Sequence, residues 1–215
     1  MTDINRKDEK MITLFHGPKS CSLAVKAALA LTGEEYQVKD VNLGQGEHLT
    51  EEFKKINPMG KVPAIEVGGD FLTEGAAILL HLSEKSPDAK LMPVEGSLER
   101  AEAYKWLMFM YSNIHPHFAR AFVPGRYGQD ESDVKAKAEE ALHTLFGMIN
   151  EQLSDNAFIN GDKLSLADLY LMVCIHWEGI LSKSLTGTYE YVERYRQQML
   201  EQPVIGEIYQ KEYAS

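Results

Sequence analysis

Beginning at Met11, the chain opens with an apolar run to Phe15, the length of a short buried strand. A turn, His16-Gly17-Pro18-Lys19, leads to apolar positions at Leu23, Ala27, Ala30 and Leu31. That is helical spacing, with the start at Ser20 or Cys21 and Gly33 as the usual C-terminal stop. Tyr36 to Val41 alternates like a second strand. Gly44-Gln45-Gly46 is a loop, and a short helix near Glu47 to Lys55 stops before Pro58. Two strands then flank Gly68-Gly69-Asp70, and a helix begins at Thr73-Glu74-Gly75. The predicted order is β-α-β-α-β-β-α.

Beyond the connector Ser86 to Gly96 the strand signals stop. Tyr104, Leu107, Tyr111, Ile114, Phe118 and Phe122 recur at steps of three and four along one face of a long helix, which Pro116 should bend or end. Pro124-Gly125 interrupts, and Val134, Ala138, Leu142, Leu145, Ile149 and Leu153 repeat the pattern. A third helix starts at Leu164 to Asp168, with Ser165 as N-cap, Asp168 at the third helical position and Leu164 placed to staple onto Leu169. One or two shorter helices follow, split by Pro203. The expected organisation is a polar tail (1–10), a mixed αβ domain (11–86), a linker (87–96) and an all-helical domain (97–215).

Composition narrows the function more than the fold. With 215 residues, 44% hydrophobic and 25% charged, the chain can build one or two real cores. A net charge of −10 supplies no basic face, so no nucleic-acid partner is expected. The apolar run Leu166 to Ile175 is broken by Asp168 and falls short of a membrane span. Residues 1–10 lack the apolar centre of a signal peptide. The two cysteines, Cys21 and Cys174, have neither CxxC nor metal-ligand spacing. A disulfide between them is open in principle, but nothing marks a secreted scaffold. The expectation is a cytoplasmic protein with no metal.

The candidate chemistry gathers around residues 57–78. Proline lacks a ladder donor, so Pro63 belongs at a strand start or edge, leaving the backbone of Val62 to pair outside the sheet. Gly75 offers a bare amide at a helix N-terminus, where a carboxylate is favoured. A peptide edge beside a carboxylate cradle suggests a small peptide ligand. Lys61 is either a further carboxylate contact or a solvated loop lysine. Glu74 either binds ligand or supplies first-turn charge. Cys21 lies at a helix start, where the dipole and nearby amides favour a thiolate; otherwise it is a small, half-buried cysteine. Ser20 and Ser22 are alternative hydroxyl donors, Ser20 also being a natural N-cap. His115 either lines a site or is a surface histidine beside the Pro116 kink. His16 reads as a turn histidine and Cys174 as core.

Four stretches, GPKSCSLAVKAAL, NPMGKVPAI, LTEGAAIL and LSLADLYL, in this order and spacing resemble the cytosolic glutathione S-transferases, and the resemblance covers residues 11–213. The Cys21-Ser22-Leu23 start is similar to the bacterial cysteine-containing, beta-type members. The resemblance implies a thioredoxin-like domain followed by a helical bundle, with glutathione as co-substrate. Residues matching Val62 and Pro63 form a cis bond whose backbone pairs with the cysteinyl part of glutathione, while those matching Glu74 and Gly75 hold its γ-glutamyl end. Cys21 would contact the sulfur, form a mixed disulfide with it, or donate a hydrogen bond to its thiolate.

It further implies a homodimer, and attack of the thiolate on a hydrophobic electrophile lodged between the domains. Thiol–disulfide or peroxide-linked side activity through Cys21 belongs to the same expectation. The chain departs from similar proteins at Gly75 (often Ser), at Met108 (often Asn) and at Pro116, where beta-type members carry Lys after the histidine. A glutathione-dependent isomerase or dehalogenase, and a non-catalytic glutathione-binding adaptor, are the alternatives.

Overall fold

The computed structural model describes residues 11–213, so the polar tail expected at 1–10 lies outside the described residues. The chain divides into two compact units. The first runs to Leu91 and resumes at Val204; the second is Met92–Pro203.

The first unit holds strands β1 (Ile12–His16), β2 (Tyr36–Asp40), β3 (Ala64–Val67) and β4 (Asp70–Thr73), in the sheet order β2-β1-β3-β4. β1 pairs in parallel with β2 and antiparallel with β3, and β3 pairs antiparallel with β4. All five β1 residues are buried, as suits a central strand covered on both faces. Helices α1 (Ser22–Thr32), α2 (Glu51–Ile56) and α3 (Gly75–Lys85) complete the predicted β-α-β-α-β-β-α order, and α1 packs against α3. Gly33 ends α1 at φ 70°, the left-handed conformation that glycine adopts without a Cβ penalty.

One face of the sheet closes with Phe15, Val41, Phe53, Val62 and Ala64, and Leu43 and Ile56 pack around them. Phe15 meets Phe53 edge-on at 6.1 Å between ring centroids. This cluster fixes Val62 from beneath. The helix expected over Glu47 to Lys55 is divided: a 3-10 turn, Glu47–Leu49, precedes α2, because the Thr50 side chain accepts the Phe53 N–H and caps a fresh start.

The second unit contains α4 (Leu98–Phe109), α5 (His115–Phe122), α6 (Glu131–Ser154), α7 (Leu166–His176) and α8 (Glu190–Glu201). Pro116 neither ends the long helix nor leaves it regular: a π-helical segment, Met110–Ile114, joins α4 to α5. Proline lacks the N–H of the regular ladder and its ring crowds the carbonyl one turn back, and the wider π turn takes up both defects. Ser165 and Asp168 form the expected capping box at α7. The Asp168 carboxylate also accepts the Ile159 N–H at 2.8 Å and the Tyr195 hydroxyl at 3.1 Å, tying α7 to α8 and to the loop before α7.

The last helix, α9 (Pro203–Tyr213), departs from the expected division at residues 97–215, because from Val204 onward it belongs with the first unit. Its Glu212 is buried against β1 and the start of α1 (below). Among the described residues, no helix is long and apolar enough to cross a membrane.

Candidate functional site

The site is assembled from three backbone turns of the first unit. The turn before β3 is clamped by buried Asn57, whose side chain donates to the Lys61 carbonyl at 2.6 Å and accepts from the Met59 N–H at 3.0 Å. Gly60 turns at φ 58°, and a Cβ there would stand 2.8 Å from the His48 carbonyl oxygen. The Val62-Pro63 bond that follows is cis. Sequence reasoning anticipated Val62 and Pro63 and missed Asn57; its signal was its place ahead of a Pro-x-Gly turn, where Asn side chains bond nearby backbone.

The second turn, Gly17 to Cys21, enters α1. Cys21 occupies the N-cap position without making a side-chain cap, and its Sγ–H donates to the Val62 carbonyl at 3.3 Å. Burial opposes the expected helix-start thiolate. Burial pushes the Cys21 thiol up to about 12; its own backbone N–H and the Lys61 ammonium pull the other way, and Glu74 adds to the rise. Desolvation therefore outweighs the amides at the helix start. Ser20 Oγ accepts the Ser22 N–H at 3.2 Å, so Ser20 serves the helix start one position earlier than an ordinary N-cap.

The third turn enters α3. Glu74 is exposed, takes φ 67°, and makes no side-chain cap, while the buried Gly75 opens the helix. A non-glycine residue in the left-handed region is uncommon and costs of order 1 kcal/mol or more, a strain found preferentially at ligand clamps. Its carboxylate remains uncommitted to the helix and stands near enough to Cys21 to act on the thiol.

Behind these turns lies a buried polar chain that the sequence did not announce. His16, expected as a turn histidine, is the last residue of β1 and only 1% exposed. Its Nδ1 is 2.7 Å from Ser22 Oγ and its Nε2 is 2.8 Å from Glu212 Oε1. Ser22 Oγ is in turn 2.7 Å from Ser20 Oγ. Glu212 also accepts the Lys19 N–H at 2.8 Å and the Lys26 ammonium at 3.0 Å. Burial alone would raise the Glu212 carboxyl, but His16, the Lys19 N–H and Lys26 together bring it down to about 2. The carboxylate thus ties α9 to the loop that presents Cys21.

His115 stands in the second unit, half-buried, with its Nδ1 hydrogen-bonded to the Tyr170 hydroxyl and its ring edge-on to Trp177 at 5.2 Å. Tyr111 stacks on Tyr170 at 3.9 Å. Cys174 is fully buried, and both cysteines are free thiols. Among the described residues no three His, Cys, Asp or Glu side chains cluster to hold a metal ion.

A thioredoxin-like sheet entered through a cis proline, with a separate helical unit, defines a two-part class of protein. Comparison with known proteins narrows the class. Residues 10–84 match the family model "Glutathione S-transferase, N-terminal domain" and residues 100–203 match "Glutathione S-transferase, C-terminal domain". Glutathione S-transferase GstA of Escherichia coli O157:H7 is 30% identical over 89% of this chain and 94% of its own length.

Two solved structures are similar throughout. A sphingomonad glutathione S-transferase complexed with glutathione has a TM-score of 0.84 and 30% identity, over 94% of this chain and 100% of that one. A bacterial beta-class enzyme from Sphingomonas chungbukensis has a TM-score of 0.84 and 32% identity over the same shares. The chain belongs to the glutathione S-transferase family.

Proposed function

We propose that this chain binds glutathione along the Val62-Pro63 edge and at the Glu74-Gly75 start of α3, and transfers its thiolate to a hydrophobic electrophile. The observation that carries the reading is the junction of Cys21 with Val62. A thiol 3.3 Å from the Val62 carbonyl supports a site that takes a sulfur and a peptide backbone side by side. β3 begins at Ala64, so Val62 stays outside the ladder and is suited to pair with an extended peptide. The α3 N-terminus favours a carboxylate, and Lys61 adds a cation on the same edge.

In this assignment Val62, Pro63, Glu74, Gly75 and Lys61 bind the tripeptide, while Cys21 and Ser20 flank its sulfur. A second copy of the chain as partner and a cytoplasmic setting complete the reading; both rest on family membership.

The test is retention on immobilised glutathione under reducing conditions, followed by turnover of glutathione with a panel of aryl halides, epoxides, maleyl-type isomers and hydroxyethyl disulfide. Binding with conjugation of the halides or epoxides is expected. Clean flow-through from the resin would sink the glutathione reading. Binding with turnover of the maleyl-type isomer alone would replace the transferase by an isomerase, and binding with no turnover would leave an adaptor.

A further inference from the structure

The buried chain Ser20–Ser22–His16–Glu212 has a directionality that follows from counting hydrogens. Ser20 alone among the four is partly exposed; His16, Ser22 and Glu212 are 1%, 0% and 8% exposed. An ionised carboxylate only accepts, so Glu212 requires a hydrogen on His16 Nε2. With His16 neutral, Nδ1 is then bare, and the hydrogen facing it is that of Ser22 at 2.7 Å, closer than the alternative acceptor, the Gly17 carbonyl at 3.2 Å. Ser22 Oγ already accepts the Gly17 N–H at 3.1 Å, which leaves one lone pair, and the Ser20 hydroxyl fills it at 2.7 Å. Ser20 therefore turns its hydrogen inward. One of its lone pairs takes the Ser22 N–H, and the other is left to accept from outside.

With His16 protonated on both nitrogens, every polarity reverses. Nδ1–H and the Gly17 N–H fill both lone pairs of Ser22, whose own hydrogen passes to Ser20 or to the Gly17 carbonyl. Ser20 finds no acceptor at Ser22 and points its hydrogen outward. The same hydroxyl is thus an outward acceptor beside neutral His16 and an outward donor beside the imidazolium.

We propose that His16 is the base that ionises the glutathione thiol, acting through Ser22 and Ser20, with Ser20 touching the sulfur and Ser22, His16 and Glu212 as positioning residues behind it. The proposal rests on the glutathione reading given above. The step balances. The glutathione S–H bond breaks and its proton bonds to Ser20 Oγ; the former Ser20 proton passes to Ser22, and the former Ser22 proton to His16 Nδ1. The result is a thiolate facing an outward Ser20 donor, and an imidazolium against the Glu212 carboxylate. The electron pair of the S–H bond stays on sulfur for attack on the electrophile.

The charged and titratable groups around the relay are Glu212 of α9, Lys19 and Cys21 of the entering turn, Lys26 of α1, and Asp40, the register partner of His16 on β2. Among the described residues, Glu212 is the carboxylate bonded to the imidazole.

Titration of the thiolate absorption of enzyme-bound glutathione tests the relay, with Ser20→Ala, Ser22→Ala and Ser22→Thr beside the wild-type chain. In both alanine variants the ionisation midpoint should rise by about one pH unit or more, a roughly tenfold loss of bound thiolate at neutral pH, and Ser22→Thr should restore it. A variant that binds glutathione and ionises it at the wild-type pH overturns the relay. Absence of glutathione binding by the wild-type chain overturns the binding reading and the relay together. Should Ser22→Ala fail to fold, Ser20→Ala and the imidazole NMR signal of His16 decide. That signal must move towards the protonated form when glutathione binds the wild-type chain; an unmoved signal refutes the base assignment.

Discussion

Replacing Glu212 by Gln should loosen the turn that presents Cys21, and the cost can be worked from the contacts. The carboxylate accepts the His16 Nε2–H and the Lys19 N–H on one oxygen, both at 2.8 Å, and Lys26 on the other at 3.0 Å. Glutamine keeps an oxygen for the first two, but as neutral bonds; charged ones are worth about 1.5–3 kcal/mol against about 0.5–1.5 for neutral. Its amide then faces Lys26, whose side chain is 26% exposed and can turn to water, so that loss is held to about 1 kcal/mol or less.

The sum is about 3 kcal/mol, equivalent to a fall of roughly 6–12 °C in Tm for a chain of this length. The pH dependence gives a second handle. The folded-state pKa of Glu212 is depressed to about 2 from an ordinary value of 4.5. Its contribution is therefore present above pH 4.5 and is lost as pH falls through 2. Thermal unfolding of both chains across that range should show the penalty of Glu212→Gln at neutral pH shrinking towards acid. An unchanged Tm at neutral pH, or a penalty that persists undiminished at the acid end, would refute the assignment of these bonds to an ionised Glu212.

Cys21→Ala should retain conjugation within a few-fold, because the thiol it removes is held protonated and offers no charge to the reaction; loss of turnover in a steady-state assay would show that the sulfur is needed. Gly60→Ala should weaken glutathione binding measured by titration calorimetry. Its φ of 58° disfavours a side chain by about 1 kcal/mol, and the added Cβ would press the His48 carbonyl at 2.8 Å, displacing the turn that carries Val62; wild-type affinity would mean the turn yields without moving that edge. Asp168→Ala should destabilise the second unit by about 2–5 kcal/mol in denaturant unfolding, since the Ile159 and Ser165 N–H groups lose their buried acceptor; a midpoint unchanged from wild type would show that water or a shifted backbone replaces it.

Much of the architecture was legible because it is set between near neighbours. The β-α-β-α-β-β-α order, the Gly33 stop, the Pro63 strand entry and the Ser165–Asp168 box each depend on residues within a few positions of one another. Steric limits and local hydrogen bonds act there whatever the rest of the chain does. The Val62-Pro63 edge and the Gly75 helix start were visible for the same reason.

Tertiary structure decided what depends on burial and on distant partners. His16 and Glu212 lie 196 positions apart, and neither residue's local pattern distinguishes the pair from a turn histidine and a helix-surface glutamate. The continuation of the helix through Pro116 required packing to make a π segment preferable to an end. For Cys21 the helix start, a local feature, argued for a thiolate, while desolvation at the Val62 carbonyl argues more strongly for a thiol. Sequence by itself determined where the proline strand entry and the Gly75 helix start would form. The protonation of the groups around them came from the folded core, because the cost of holding a charge depends on everything that excludes water from it.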